Sequence, residues 1–313
     1  MEESRSVLSQ GPTHLLVNPA AGGRGGRRWL QQLKDFAAAS LSSAEFHLPE
    51  SPQHMEGIAA GLIRQGAKAL LAVGGDGTLQ TLVNVPGVSD IALGILPSGS
   101  GNDFAAALGL PRNPMDALRV VLDGRIRRVD LARARTADGR VRMYCGGGGL
   151  GLDAEAVRHA SGRYARLTGK PRYVLSALHA RRTFSPVTVR AEFPTGQVSS
   201  VEKSVEKKVL VAAALNTPTY GAGLRLAPNA RIDDGLLDVV FVEELRLLDV
   251  AGIVFDWTLR GTLRTSRIAT RTAACVRLFP DRPCLFHGDG EIIGPAPVEI
   301  EAVPQAIRVF APQ

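Results

Sequence analysis

Four short stretches carry the residue types that handle phosphate and protons: "NPAAGG" (Asn18–Gly23), "GGDGT" (Gly74–Thr78), "PSGSGNDF" (Pro97–Phe104) and "HGDGE" (His287–Glu291). The first three place glycines between an apolar run and a helical pattern. Glycine there permits positive φ and close backbone approach, and the helix behind aims free N–H groups and a positive dipole end at an anion. A phosphate explains the glycines but not Asp76, because a carboxylate beside phosphates repels them unless a cation, water or hydroxyl intervenes. Asp76 therefore reads as working through Mg²⁺ and its waters, or as a hydrogen-bond acceptor; a turn residue capping its own loop has the same appearance. No G-x-x-x-x-G-K-[ST] occurs, which excludes a Walker-type phosphate loop. "GGGGLG" (Gly146–Gly151) satisfies G-x-G-x-x-G, but no acid lies between Glu155 and Glu192 to hold a ribose, so the match reads as an accident of a glycine run.

The elements that must position these loops follow from periodicity. "HLLV" (His14–Val17), "ALLAV" (Ala69–Val73) and "IALGIL" (Ile91–Leu96) are strands, each entering one of the glycine loops. Behind the first loop, Trp29, Leu33, Phe36, Ala37 and Leu41 recur at helical spacing; behind the second, Leu79, Leu82 and Val83 do. "DFAAALGL" is a short helix with Asn102 or Asp103 as N-cap, ended by Pro111. Repeated strand–loop–helix predicts a parallel sheet with helices on its faces, whose loops gather at the carboxyl edge. Beyond residue 130 the pattern changes to short β-branched runs such as "VTVRAEF", "KKVLVAAAL", "LLDVVFV", "AACVRLF" and "PVEIEAV", divided by Gly, Pro and Asn turns. That predicts an antiparallel β domain carrying one or two helices.

Composition bounds the partners. The 313 residues are 45% hydrophobic and 21% charged, enough for a packed core and for two domains. The formal charge is +7, and 31 of the 37 basic residues are arginine. Aromatics at 5% and the lack of a stacking platform argue against nucleic acid. Cys145, Cys275 and Cys284 form no CxxC pair, so a reducing cytoplasm is expected, and no apolar run approaches the roughly 20 residues of a membrane span. From Arg158 to Arg190 eight Lys or Arg and no acid are interleaved with Tyr164, Leu167, Tyr173, Leu175 and Leu178. Such a mixture suits peripheral contact with an anionic membrane surface; a solvated helical face has the same composition. Oligomeric state is not legible, and a homodimer stays open.

Taken together, "VNPAAGG", "GGDGT" and "LGILPSGSGNDFA", followed by "LNTPTYGAGLRLAPNARIDDGLLDVVFV" and "HGDGE", resemble the diacylglycerol kinases and their sphingosine and ceramide kinase relatives, the bacterial soluble lipid kinases above all. The resemblance implies an α/β ATP-binding domain over residues 1–131, to which 305–313 return. It implies a mostly antiparallel, lipid-substrate β domain over 132–304, ATP and lipid head group meeting in the cleft between. It further implies that Asn18, Pro19, Ala20, Ala21 and Gly22, with Gly74, Gly75, Asp76, Gly77, Thr78, Leu79, Gln80 and Ser100, border ATP. Asp289 matches the general base. The main-chain carbonyls of Arg231 and Leu236 and the carboxylate of Asp234 match the ligands of a structural Mg²⁺. The expected activity is transfer of the γ-phosphate of ATP to a hydroxyl of a diacylglycerol-like or sphingoid-like lipid. An NAD kinase-like small-molecule kinase and a non-catalytic lipid-binding relative are the alternatives. Departures from the family pattern are Ala106, where Arg is common, and the "CGGGGLGLDA" stretch.

Overall fold

The computed structural model describes residues 6–18, 26–41, 43–164, 170–194, 203–244 and 267–313. Two compact units emerge, one of residues 1–129 and 305–313, the other of residues 130–304.

In the first unit the three expected strands are present and parallel. The element order is β1 (Thr13–Val17), α1 (Gly26–Ser40), β2 (Ala44–His47), α2 (Pro52–Arg64), β3 (Ala69–Gly74), α3 (Asp76–Val83), β4 (Ala92–Pro97), α4 (Asp103–Ala107) and α5 (Pro114–Asp123). β3 lies between β1 and β4, β2 forms the edge beside β1, and the last residues of the chain pair with β4 through Arg308 and Val309. β1, β3 and β4 are buried throughout, as strands covered on both faces must be. On one face Leu15, Val17, Leu71 and Val73 pack against Leu33 and Ala37 of α1 and Leu118 and Val121 of α5. Ser51 accepts the N–H of His54 as the N-cap of α2, and Asn113 does the same for Met115 at α5.

The second unit is built on β5 (Arg125–Thr136, its first five residues in the first unit), β6 (Val141–Tyr144), β7 (Gly147–Gly151), α6 (Leu152–Ser161), α7 (Lys170–Thr183), β8 (Val187–Glu192), β9 (Ser204–Leu215), β10 (Leu237–Glu243), β11 (Ile268–Ala273), β12 (Cys275–Pro280), β13 (Leu285–Gly288), β14 (Glu291–Pro295) and β15 (Val298–Ala311). The strands that the sequence patterns predict are all antiparallel here. β9 is the organiser: its first half pairs with β8, while its second half lies between β7 and β10. Val189, Ala212, Val239, Val276, Leu278 and Phe286 fill the core. "PVEIEAV" and "AIRVFAP" form one strand, β15, whose first residues pair with β12 in this unit and whose last belong to the first. Among the described residues no helix is long and apolar enough to cross a membrane.

Candidate active site

In the first unit, the corner after β3 starts from Gly74. Its main-chain oxygen accepts the N–H of Ser98, and Gly75 is the N-cap of α3, with Thr78 and Leu79 N–H turning back onto its oxygen. The amides of Asp76 and Gly77 precede that first turn and are the donors a helix N-terminus leaves for an outside acceptor. Neither Gly74, Gly75, Gly77 nor Gly99 has positive φ, so the expected left-handed glycines are absent. Close approach is the reason instead: a Cβ on Gly99 would stand 2.5 Å from Cα of Gly75. The "GGDGT" and "GSGN" loops touch backbone to backbone.

Asp76 binds the two loops further. Its carboxylate accepts the N–H of Asp103 and of Phe104, both at 3.2 Å, and so caps α4. The expected cap, Asn102, makes no side-chain bond to that helix; it sits at φ 59° and closes its own turn through Gly99 at 2.8 and 3.1 Å. The reason is that residue's left-handed backbone, which carries the side chain back to Gly99 and leaves the helix amides to Asp76. Burial, then the neighbouring Asp103 carboxylate, pushes the Asp76 pKa up. Asn18 donates to the Thr78 hydroxyl at 3.0 Å, tying the end of β1 to the same corner. The side chains of Thr78, Leu79 and Gln80 point into the interior and Ser100 is exposed. Pro19, Ala20, Ala21 and Gly22 lie outside the described residues.

In the second unit, Asp289 and Gly290 form the two-residue connection of the β13–β14 hairpin, with φ of 47° and 86°. Positive φ at both is what a type I′ turn requires, and Asp-Gly is a preferred pair for it. The turn holds the Asp289 carboxylate over three successive amides. Cys145 N–H donates to Oδ2 at 2.6 Å; those of Gly146 and Gly147 donate to Oδ1 at 2.9 and 3.1 Å. Asp289 N–H returns to the Gly147 oxygen. The glycine run has a packing reason of its own. It is strand β7, and a Cβ on Gly147 would lie 2.6 Å from Leu215 and 2.7 Å from Tyr220, one on Gly148 2.6 Å from the His287 oxygen.

Further polar residues lie beside this carboxylate. Tyr220 donates its hydroxyl to Asp153 at 2.7 Å, and the same oxygen lies 2.7 Å from His287 Nε2. His287 is a buried residue of β13, stacked on the Tyr220 ring. Burial, reinforced by Asp153, raises the Tyr220 pKa well above the ordinary phenol; Tyr144, buried beside Asp289, is raised likewise. Asn216, from "LNTPTYG", donates to the oxygens of Asp130 and Cys145 and so steadies the start of the amide nest.

The "RIDDG" turn is held by Asp130, whose carboxylate accepts the N–H of Gly235 at 2.7 Å. Arg231 reaches Asp233 at 3.3 Å, and Asp234 accepts the N–H of Leu236 at 3.0 Å. Burial, then the charge of Asp234, lifts the pKa of Asp238 to about 6. The Asp234 carboxylate and the main-chain oxygens of Arg231 and Leu236 make an all-oxygen donor set, the kind a hard divalent cation prefers, so the residues fit Mg²⁺.

These two halves match two known domain families in order. Residues 12–134 match the diacylglycerol kinase catalytic domain, and residues 148–311 the YegS C-terminal NAD kinase beta sandwich-like domain. A diacylglycerol kinase of Mycobacterium tuberculosis (strain ATCC 25618 / H37Rv) is 30% identical over 259 residues, 81% of this chain and 80% of that one. A Chromohalobacter salexigens protein named "Probable lipid kinase YegS-like" is 34% identical over 68% of this chain and 67% of its own. A crystal structure of a diacylglycerol kinase from Bacillus anthracis str. Sterne shares the fold, with TM-score 0.68 at 18% identity over 96% of both chains. The chain belongs to the diacylglycerol kinase family, and its C-terminal half is of the YegS type.

Proposed function

We propose that the protein is an ATP- and Mg²⁺-dependent lipid kinase that transfers the γ-phosphate of ATP to a hydroxyl of a diacylglycerol-like or sphingoid-like lipid. The observation that carries this reading is the Asp289 carboxylate, held by three backbone amides on a rigid hairpin in a chain of this family. Phosphoryl transfer to an alcohol asks for positioning, charge neutralisation and a group to take the hydroxyl proton. Asp289 takes that proton. The amides at the start of α3 and the loops joined at Gly75 and Gly99 receive phosphate oxygens through the backbone, which accounts for a phosphate corner without lysine. Mg²⁺ arriving with ATP supplies charge neutralisation; a second ion on the Arg231–Leu236 turn, held by Asp234 and main-chain oxygens, stiffens that loop.

The lipid acceptor places the enzyme at a membrane. Leu175 and Leu178 are exposed, 42% and 44%, on α7, within the acid-free basic segment. Arg166 of that segment lies outside the described residues. Charge reversal at Arg163, Arg166 and Lys170 should abolish sedimentation with acidic vesicles; retained binding refutes the contact.

Incubation with labelled ATP and a panel of lipid extracts tests the whole reading. Label on a lipid alcohol supports it. Label on a dinucleotide instead marks an NAD kinase-like enzyme, and lipid binding with no ATP consumed marks a non-catalytic relative.

A further inference from the structure

The edge of the first unit's sheet brings together three side chains of metal-ligating type. β1 and β2 run parallel with His14 opposite Glu45. Alternation along β2 sends Ala44 and Phe46 to the α1 side of the sheet, where both pack on the core, and turns Glu45 and His47 to the other face beside His14. His14 Nδ1 lies 3.2 Å from His47 Nε2 and 3.2 Å from Glu45 Oε2, and all three ligand atoms fall within 4.8 Å of one another.

Hydrogen bonding alone serves this arrangement badly. His14 Nδ1 has either one hydrogen or one lone pair to offer, and two contacts to satisfy. With the hydrogen present it can serve Glu45 or His47, not each with its own bond. With the lone pair present, the Glu45 carboxylate faces it. A cation accepting from all three atoms removes the conflict. Two of the three separations, 3.2 Å each, match the roughly 3.3 Å between ligand atoms around a tetrahedral zinc with bonds of about 2.0–2.1 Å.

We propose that His14, Glu45 and His47 form a binding site for one divalent transition-metal ion of the zinc class, cross-linking edge strand β2 to β1. Two imidazoles and a carboxylate favour zinc over magnesium, which takes oxygen ligands. Three protein ligands leave a fourth position, and a cavity of about 280 Å³ lined by His14, Glu45, Gln65 and Lys68 adjoins two of the three ligands. The site shares no residue with the turn at Asp234 or with the corner at Asp76.

Equilibrium dialysis of the full chain against Zn²⁺ and thermal melts with and without Zn²⁺ test the proposal. One tightly held Zn²⁺ per chain is expected, with a melting temperature that rises with Zn²⁺ but not with Mg²⁺. His47→Gln and Glu45→Gln, at accessible positions that folding tolerates, should each weaken binding by about 100-fold or more and abolish the melting response. His14 is buried, and replacing it would mix a folding defect with a binding one, so the two accessible positions are the ones to substitute. Absence of tight Zn²⁺ binding by the wild-type chain, or binding and melting response unchanged in His47→Gln, overturns the proposal.

Discussion

Replacing Asp289 by Asn separates the two roles its carboxylate could have. The asparagine tolerates the left-handed backbone at this turn, and its carbonyl can still accept the N–H groups of Gly146 and Gly147. Its NH₂ group, however, falls where Oδ2 met the Cys145 N–H at 2.6 Å, so a charge-assisted bond becomes donor against donor. Losing such a bond costs about 1.5–3 kcal/mol. That is a fraction of the roughly 5–15 kcal/mol stabilising a typical domain, so the variant folds with a lowered melting temperature. Loss of the proton acceptor acts on the reaction separately, lowering kcat by about 10²–10⁴-fold. The assay is a pair of measurements on one sample: a thermal melt, and turnover with labelled ATP and the best acceptor lipid. ATP affinity, measured by calorimetry, should be unchanged. A clear drop in melting temperature with kcat near the wild-type value refutes the catalytic role and leaves Asp289 as the clamp of its hairpin.

Asp76→Ala removes the acceptor for two amides at the start of α4 and should cost about 1–2 kcal/mol, read by melting, with weaker ATP binding by calorimetry. An unchanged melt would show that α4 needs no cap from this loop. Asp238 has its folded pKa raised to about 6, so the fold prefers its neutral form: stability linked to it is intact below about pH 4 and is lost as pH rises from there through 6. Asp238→Asn should therefore gain on the order of 2–3 kcal/mol at pH 7–8 and little at pH 4, as denaturant titrations at the two pH values will show. Mg²⁺ bound at the neighbouring turn should relieve the same penalty, and Asp234→Asn should abolish the Mg²⁺ effect on melting. Tyr220→Phe deletes a buried hydroxyl shared with Asp153 and His287 and should cost about 1.5–3 kcal/mol in a denaturant titration while sparing kcat relative to Asp289→Asn.

The parts of this architecture written in short range were readable from the residues. β1, β3 and β4 announce themselves as apolar runs entering glycine loops, and the short β-branched runs after residue 130 announce antiparallel strands. Asp-Gly at 289–290 is a hairpin signal in its own right. What escaped is specified by partners distant in the chain. Gly147 is glycine because of Leu215 and Tyr220, Gly99 because of Gly75, and neither reason leaves a local trace. Asp76 caps a helix that begins 27 residues later, a role no capping pattern around Asn102 could reveal. β2 is only four residues long with Glu and His at alternate positions, so its pattern is too brief to separate from loop. His287 looks solvated beside Gly, Asp and Glu; its burial comes from β7 and α6.

The return of residues 305–313 to the first unit sets an order on biosynthesis. Residues 305–313 bring Ile307, Val309 and Phe310 into that unit as fully buried side chains, and Arg308 and Val309 pair with β4. β4 therefore lacks its outer neighbour until residues 305–313 have been synthesised, so the first unit, begun before the second, is completed after it. A polypeptide stopped at residue 129 would display a sticky sheet margin, and any independently folding version of this half would need the final nine residues spliced back on.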